Sequence, residues 1–168
     1  MFEDLPKEFE NQFRLFDPVN NSVSVKKYFG EGMGIANALF QLNSANIINS
    51  EKDFKGIYVF LKSGKPFYIG ISKNVIRRII QHVKGTSHFT SSLCYKLGAD
   101  RHVKLNGEKH SGGRKGLDFP KYAEPAKKEL IQCNIAMFPV KEDIELYLFE
   151  VFVAMKLGTL NYNEFKTH

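Results

Sequence analysis

Residues 55–71 constrain this chain more than any other stretch. Lys55 to Leu61 reads Lys-Gly-Ile-Tyr-Val-Phe-Leu, Pro66 to Ile71 reads Pro-Phe-Tyr-Ile-Gly-Ile, and Lys62-Ser63-Gly64-Lys65 separates them. Two short β-branched and aromatic runs around a polar, glycine-containing turn specify an antiparallel hairpin. A helix is predicted directly after it, over Val75 to Lys84, with Asn74 as its N-cap. Further on, Ser91 to Leu97 reads as a short helix, Leu130 to Phe138 as a third strand, and Lys141 to Lys156 as a long helix stopped by Gly158. Upstream, Ile35, Leu39, Leu42 and Ile47 mark a helix packed by one face. Residues 1–32 give no clear element: Phe2, Phe9, Phe13 and Phe16 can pack, but Pro18, Asn20 and Asn21 break a helix there. Gly30, Gly32 and Gly34 form a turn without the strand or spacing of a nucleotide loop. The expected architecture is α/β (α+β): a small, mainly antiparallel three-stranded sheet flanked by helices.

The 168 residues are one domain by size. Hydrophobic residues at 43% and charged residues at 25% exclude a disordered chain. No apolar run reaches about 18 residues, so no membrane span is expected. Residues 1–10 carry acids and no apolar core, unlike a signal peptide. Cys94 and Cys133 make neither a disulfide framework nor a zinc motif, and the expected location is cytoplasmic.

Charge is unevenly placed. The net of +6 hides five acids and two bases in residues 1–18, four bases (Lys73, Arg77, Arg78, Lys84) and no acid in 73–87, and eight bases against three acids in 101–128. Clustered positive charge points to a polyanionic partner. Residues 98–122 are polar, basic and glycine-containing and read as a long loop. Lys104, Lys109, Arg114, Lys115 and Lys121 are spread along it to track a nucleic-acid backbone, with Phe119 and Tyr122 to meet sugar or base. Five neutralised phosphates would give a log–log salt slope of about −4 to −5. The bland alternative is a solvated, mobile basic loop. Ser111-Gly112-Gly113-Arg114-Lys115-Gly116 lacks the Gly-Lys-Ser/Thr ending of a nucleoside-triphosphate loop.

Placed on a wheel at about 100° per residue, Val75, Ile76, Ile79, Ile80 and Val83 share one face, and Arg77, Gln81 and Lys84 lie opposite. Arg78 and His82 fall between them, four residues apart on one flank. Arg78 is either a snorkelling edge arginine or part of a site beside the hairpin. From Leu146 to Met155 only Tyr147 and Glu150 are not apolar, so the helix reads as buried with one carboxylate inside it. Such a carboxylate is either ion-paired or a ligand for a hard cation.

These pieces, taken together, resemble a known family. Gly56-Ile57-Tyr58 opens one strand and Tyr68-Ile69-Gly70 the next; Arg78 follows Tyr68 by ten residues, His82 by fourteen, and Glu150 lies far downstream with Asn161 and Asn163 beyond it. The chain is similar to the GIY-YIG nuclease superfamily, tightly over 55–98 and loosely over 130–168. On that resemblance the chain is one nuclease domain over 1–168, with an N-terminal extension (1–50), a core (55–98 and 130–168) and an inserted basic loop (99–128). The family's asparagine falls on Asn163, with Asn161 as the alternative.

The resemblance implies a metal-dependent endonuclease hydrolysing DNA phosphodiester bonds, RNA not being excluded, with catalytic residues Tyr58, Tyr68, Arg78, His82, Glu150 and Asn163. Glu150 would hold one Mg²⁺ or Mn²⁺, Arg78 would stabilise charge on the phosphoryl oxygens, and Lys73 would add to the nucleic-acid contact. Tyr58 would act as general base, or would orient the water while His82 relays the proton. Asn163 would position the carboxylate or a phosphate oxygen. A stand-alone, restriction-type enzyme is the first reading. A repair or mobile-element nuclease with a partner, and a non-catalytic nucleic-acid-binding module on the same scaffold, are the alternatives. One centre cuts one strand, so double-strand cleavage would take a homodimer or successive nicks.

Overall fold

The computed structural model describes residues 4–159 and 162–163. In chain order the elements are α1 (Leu5–Phe16), β1 (Val23–Ser24), α2 (Val25–Phe29), α3 (Ile35–Ser44), β2 (Gly56–Lys62), β3 (Lys65–Ser72), α4 (Val75–Lys84), α5 (Ser92–Asn106), α6 (Phe119–Ile131), β4 (Asn134–Pro139) and α7 (Asp143–Leu157), with a 3₁₀ turn at Arg114–Gly116. They fall into two compact units. One comprises Met1–Ser24, Ser50–Val75 and Cys133–His168, the other Val25–Asn49 and Ile76–Gln132.

The first unit is built on the hairpin. Ser63 and Gly64 both take positive φ (51° and 75°), the two-residue turn whose twist matches its strands. The sheet has four antiparallel strands in the order β1-β4-β2-β3, not three. The added strand is two residues long, too short to leave a periodic pattern. Alternation sends Ile57, Val59, Leu61 and Ile69 to one face, where they join Phe9, Phe16, Leu146, Phe149 and Val153 in a core beneath α1 and α7. So α1 forms where no helix was expected. Pro6 occupies its first turn, Asp17 in the left-handed region ends it, and Pro18, Asn20 and Asn21 follow its end instead of interrupting it. Gln12 donates to Glu145 and Lys156 pairs with Glu10, fastening α1 to α7. Lys55 bonds Asp143 at 2.8 Å, which holds that carboxyl below the usual carboxylate range.

The second unit is helical. The segment 99–128, expected to be an inserted loop, is mostly α5 and α6. The helix expected over Ser91 to Leu97 runs on through Gly98 to Asn106, and Gly98 is the contact that lets the two helices pack. A Cβ there would meet the Ala123 backbone at 3.0 Å. Arg101 bonds Glu129 across the same pair. Pro120 and Pro125 masked α6 in the sequence. Pro120 sits in the first turn, where no amide donor is needed, and Asp118 caps the helix by accepting from the Lys121 N–H. Helix α4 matches its expected bounds. Cys94 and Cys133 are buried thiols, and burial raises the Cys94 pKa to about 11. Among the described residues no helix is long and apolar enough to cross a membrane.

Candidate active site

The two glycine-bearing triplets are cross-strand neighbours, and each glycine has a separate steric reason. Tyr58 pairs with Gly70 and Phe60 with Tyr68, so Tyr58 and Tyr68 are diagonal neighbours on one sheet face, ring centroids 6.3 Å apart. That face is the reverse of the one covered by α1 and α7. The Tyr58 ring lies across Gly70: a Cβ on Gly70 would come within 2.3 Å of both the ring's Cζ and its hydroxyl. Gly56 instead admits β4, since a Cβ there would lie 2.2 Å from the Phe138 carbonyl oxygen. Tyr58 is 1% exposed and Phe60 meets it edge-on at 6.1 Å.

Asn163 closes the outer edge of this hairpin. Its Oδ1 accepts from the Ile69 N–H at 3.1 Å and its Nδ2 donates to the Ile69 carbonyl at 2.7 Å. The amide thus satisfies the backbone of the residue between Tyr68 and Gly70. Asn161 lies outside the described residues.

Glu150 differs from its expected setting. Helix α7 is not buried all round: Ile144, Tyr147 and Met155 are well exposed, and Glu150 is half-buried. By helix geometry it falls between Leu146 and Ala154, both core residues, so it lies on the side of α7 that packs on the sheet face opposite Tyr58 and Tyr68, and the carboxylate and the two phenols would meet only around the β3 edge. Among the described residues no three His, Cys, Asp or Glu gather as a metal cage. A single half-buried carboxylate still suits Mg²⁺, which takes one or two protein oxygens and keeps several waters.

Arg78 and His82 belong to the helical unit. The Arg78 guanidinium is held at the start of α5: Nη1 donates to Gln81 Oε1 (3.1 Å) and the Thr90 carbonyl (3.2 Å), and Nη2 to Ser92 Oγ (2.5 Å). A guanidinium has five donors, so this anchoring leaves two directions of the fork for a ligand. His82, expected on the flank beside Arg78, is wholly buried. The N-terminus of α5 covers it, so the wheel of α4 alone placed it too near solvent. Its Nδ1 accepts from the Leu93 N–H, and its carbonyl accepts from Ser91 Oγ and Cys94 Sγ. Burial first, then Arg78 and Lys96, lowers its pKa well below the usual value and keeps the ring neutral. Gln81, Thr90 and Ser92 were not singled out in the sequence; nothing in their spacing marks them.

Among the basic residues, Lys73, Lys104, Lys109, Lys115 and Lys121 are exposed, while Arg114 is half-buried. Phe119 and Tyr122, expected to meet sugar or base, are core residues of the helical unit, each 5% exposed, which leaves little of either ring for such a contact. The charge is sharply divided. The helical unit holds fourteen Lys and Arg against six Asp and Glu, a net of +8, and the sheet unit ten against twelve, a net of −2.

Comparison with known proteins agrees with the hairpin. UvrABC system protein C of Aquifex aeolicus (strain VF5) is 37% identical over 43 residues, which are 26% of this chain and 8% of that protein. No solved structure matches. The family model described as the GIY-YIG catalytic domain matches residues 54–152. The matched stretch takes in β2, β3, α4 and most of α7, including the Tyr58–Gly70 contact and Glu150, and by it the chain belongs to the GIY-YIG family.

Proposed function

We propose that this chain carries a restriction-type endonuclease activity that hydrolyses DNA phosphodiester bonds. Tyr58, Tyr68, Arg78 and Glu150 carry the reaction, and His82 and Asn163 position the segments that hold them. The observation that carries the reading is the lodging of the Tyr58 phenol on Gly70 inside the family's paired triplets. It fixes the ring of a residue that must act at one position.

In-line attack on a phosphodiester builds negative charge on the phosphoryl oxygens and on the leaving oxygen. Arg78, already fixed by Gln81, Thr90 and Ser92, meets that charge without reorganising. Tyr58 orients the attacking water and serves as its base, and Tyr68 holds the neighbouring position on the same sheet face. His82 stays neutral inside the helical unit and fixes the start of α5, on which Arg78 is anchored. Asn163 acts through Ile69, holding the strand segment that bears Tyr68 and Gly70. Glu150 is the residue that would hold a divalent cation. The cation, when bound, supplies Lewis-acid stabilisation of the phosphoryl oxygens. The +8 of the helical unit supports DNA binding by the chain's own surface, with Lys104, Lys109, Arg114, Lys115 and Lys121 there and Lys73 beside the hairpin.

The test is nicking of supercoiled plasmid with Mg²⁺ or Mn²⁺. Wild type should cut and stop on addition of EDTA, while Arg78→Ala and Glu150→Ala should bind DNA without cutting. A wild-type chain that binds DNA but cuts no DNA or RNA with either ion would instead be a binding module on this scaffold.

A further inference from the structure

Phe89, between α4 and α5, is a large aromatic side chain left 54% exposed to water. Its surroundings are built. The Arg114 guanidinium lies 5.0 Å from its ring centroid and 4.8 Å from that of Tyr95. Arg114 is itself fixed, donating through Nε (3.0 Å) and Nη2 (2.7 Å) to the His88 carbonyl. Lys115 Nζ stands 6.0 Å from the same Phe89 ring. The adjoining residue, Thr90, supplies the carbonyl that holds Arg78. An exposed ring, two cations and the anchor of the proposed phosphate-binding arginine therefore gather at the junction of α4 and α5.

We propose that Phe89, braced by Arg114 and Lys115, is a stacking site for a DNA base that has left the helical stack next to the phosphate held by Arg78. The proposal rests on the nuclease reading above. A phenyl ring has no hydrogen-bonding group, so phosphates offer it nothing; it gains only by covering the face of a base or sugar. In a continuous duplex the base faces are covered by their neighbours, and an aromatic side chain reaches one only where a step is unstacked or a base is unpaired. Arg114 and Lys115 contribute the salt-dependent attraction to the flanking phosphates. The site therefore favours bulged, gapped or single-stranded DNA over a plain duplex.

The experiment measures fluorescence anisotropy of the full chain, in EDTA to prevent cutting, on three labelled DNAs: a continuous duplex, the same duplex with one unpaired adenine, and a single strand. Wild type should bind the bulged and single-stranded DNAs about 10-fold or more tighter than the duplex, from the usual worth of one base–aromatic stack. Phe89→Ala should erase that preference with an unchanged salt slope and an unchanged melting temperature, and Phe89→Trp should keep it. The proposal is overturned if wild type shows no preference, or if Phe89→Ala leaves all three affinities unchanged or lowers them equally. A wild-type chain that binds none of the three overturns both this proposal and the nuclease reading. Loss of the preference alone leaves that reading standing.

Discussion

The Tyr58 phenol fills the space above Gly70, its partner across the β2–β3 ladder. Gly70 is therefore a glycine for want of room beside the main chain; its own φ is not in the left-handed region. Gly70→Ala should displace the ring. Overpacking of this kind costs about 1–3 kcal/mol, and a reactive group moved by about 1 Å loses about 100-fold in rate. Melting curves and plasmid nicking measure the two effects, and a Gly70→Ala chain that cuts at the wild-type rate would remove Tyr58 from the chemistry.

Asn163 makes two hydrogen bonds to one buried backbone residue. Asn163→Ala strands both Ile69 groups and should cost about 2–4 kcal/mol. Asn163→Asp keeps an acceptor for the N–H but turns an oxygen toward the Ile69 carbonyl, and should be no better. Urea unfolding gives the energy, and faster amide exchange at Ile69 gives the location.

His82 makes stability depend on pH. Its pKa is lowered in the folded chain, so the unfolded chain binds the extra proton first. Stability is complete above the ordinary histidine pKa of about 6.5 and falls below it, by up to about 1.4 kcal/mol per pH unit. His82→Asn retains an acceptor for the Leu93 N–H and should flatten this part of the profile. Denaturation midpoints between about pH 7 and 5 follow it, and an equally steep acid limb in His82→Asn would exclude His82 as its source.

Ser92 holds Arg78 without reaching substrate in the proposed mechanism. Ser92→Ala should lower kcat about 10-fold, the order of one lost charge-assisted hydrogen bond, and leave KM near wild type. Ser92→Thr, which restores a hydroxyl, should recover most of the loss. A change confined to KM would mean that Ser92 serves binding instead.

The division of charge predicts a salt law. Duplex affinity should fall with a log–log slope of about −4 to −5, and each of Lys104→Ala, Lys109→Ala and Lys121→Ala should flatten it by up to about 0.9. Isothermal binding at several NaCl concentrations measures this. Slopes unchanged in all three variants would move the DNA path off the α5–α6 surface.

The parts of this fold that are legible in the sequence are those whose signal is local. The hairpin announces itself by two β runs around Ser63-Gly64, α4 by its five-residue apolar face, and α7 by its apolar run ending at Gly158. The first half of α5 is legible over Ser91 to Leu97, but its continuation and α6 are hidden because Gly98, Pro120 and Pro125 are ordinarily breakers, and here a close helix crossing and a first turn absorb two of them. The two tyrosines, the arginine and the acid are readable as motif positions. The burial of His82 and the attachment of Asn163 to Ile69 are not, since each depends on a segment that packs from elsewhere in the chain.

The outer strand of a sheet is ordinarily an invitation to a stranger's backbone. At Ile69 that invitation is withdrawn by one side-chain amide, which imitates the pairing of a neighbouring strand. Losing it would expose a sticky rim, so Asn163 variants should precipitate on concentration well before they unfold.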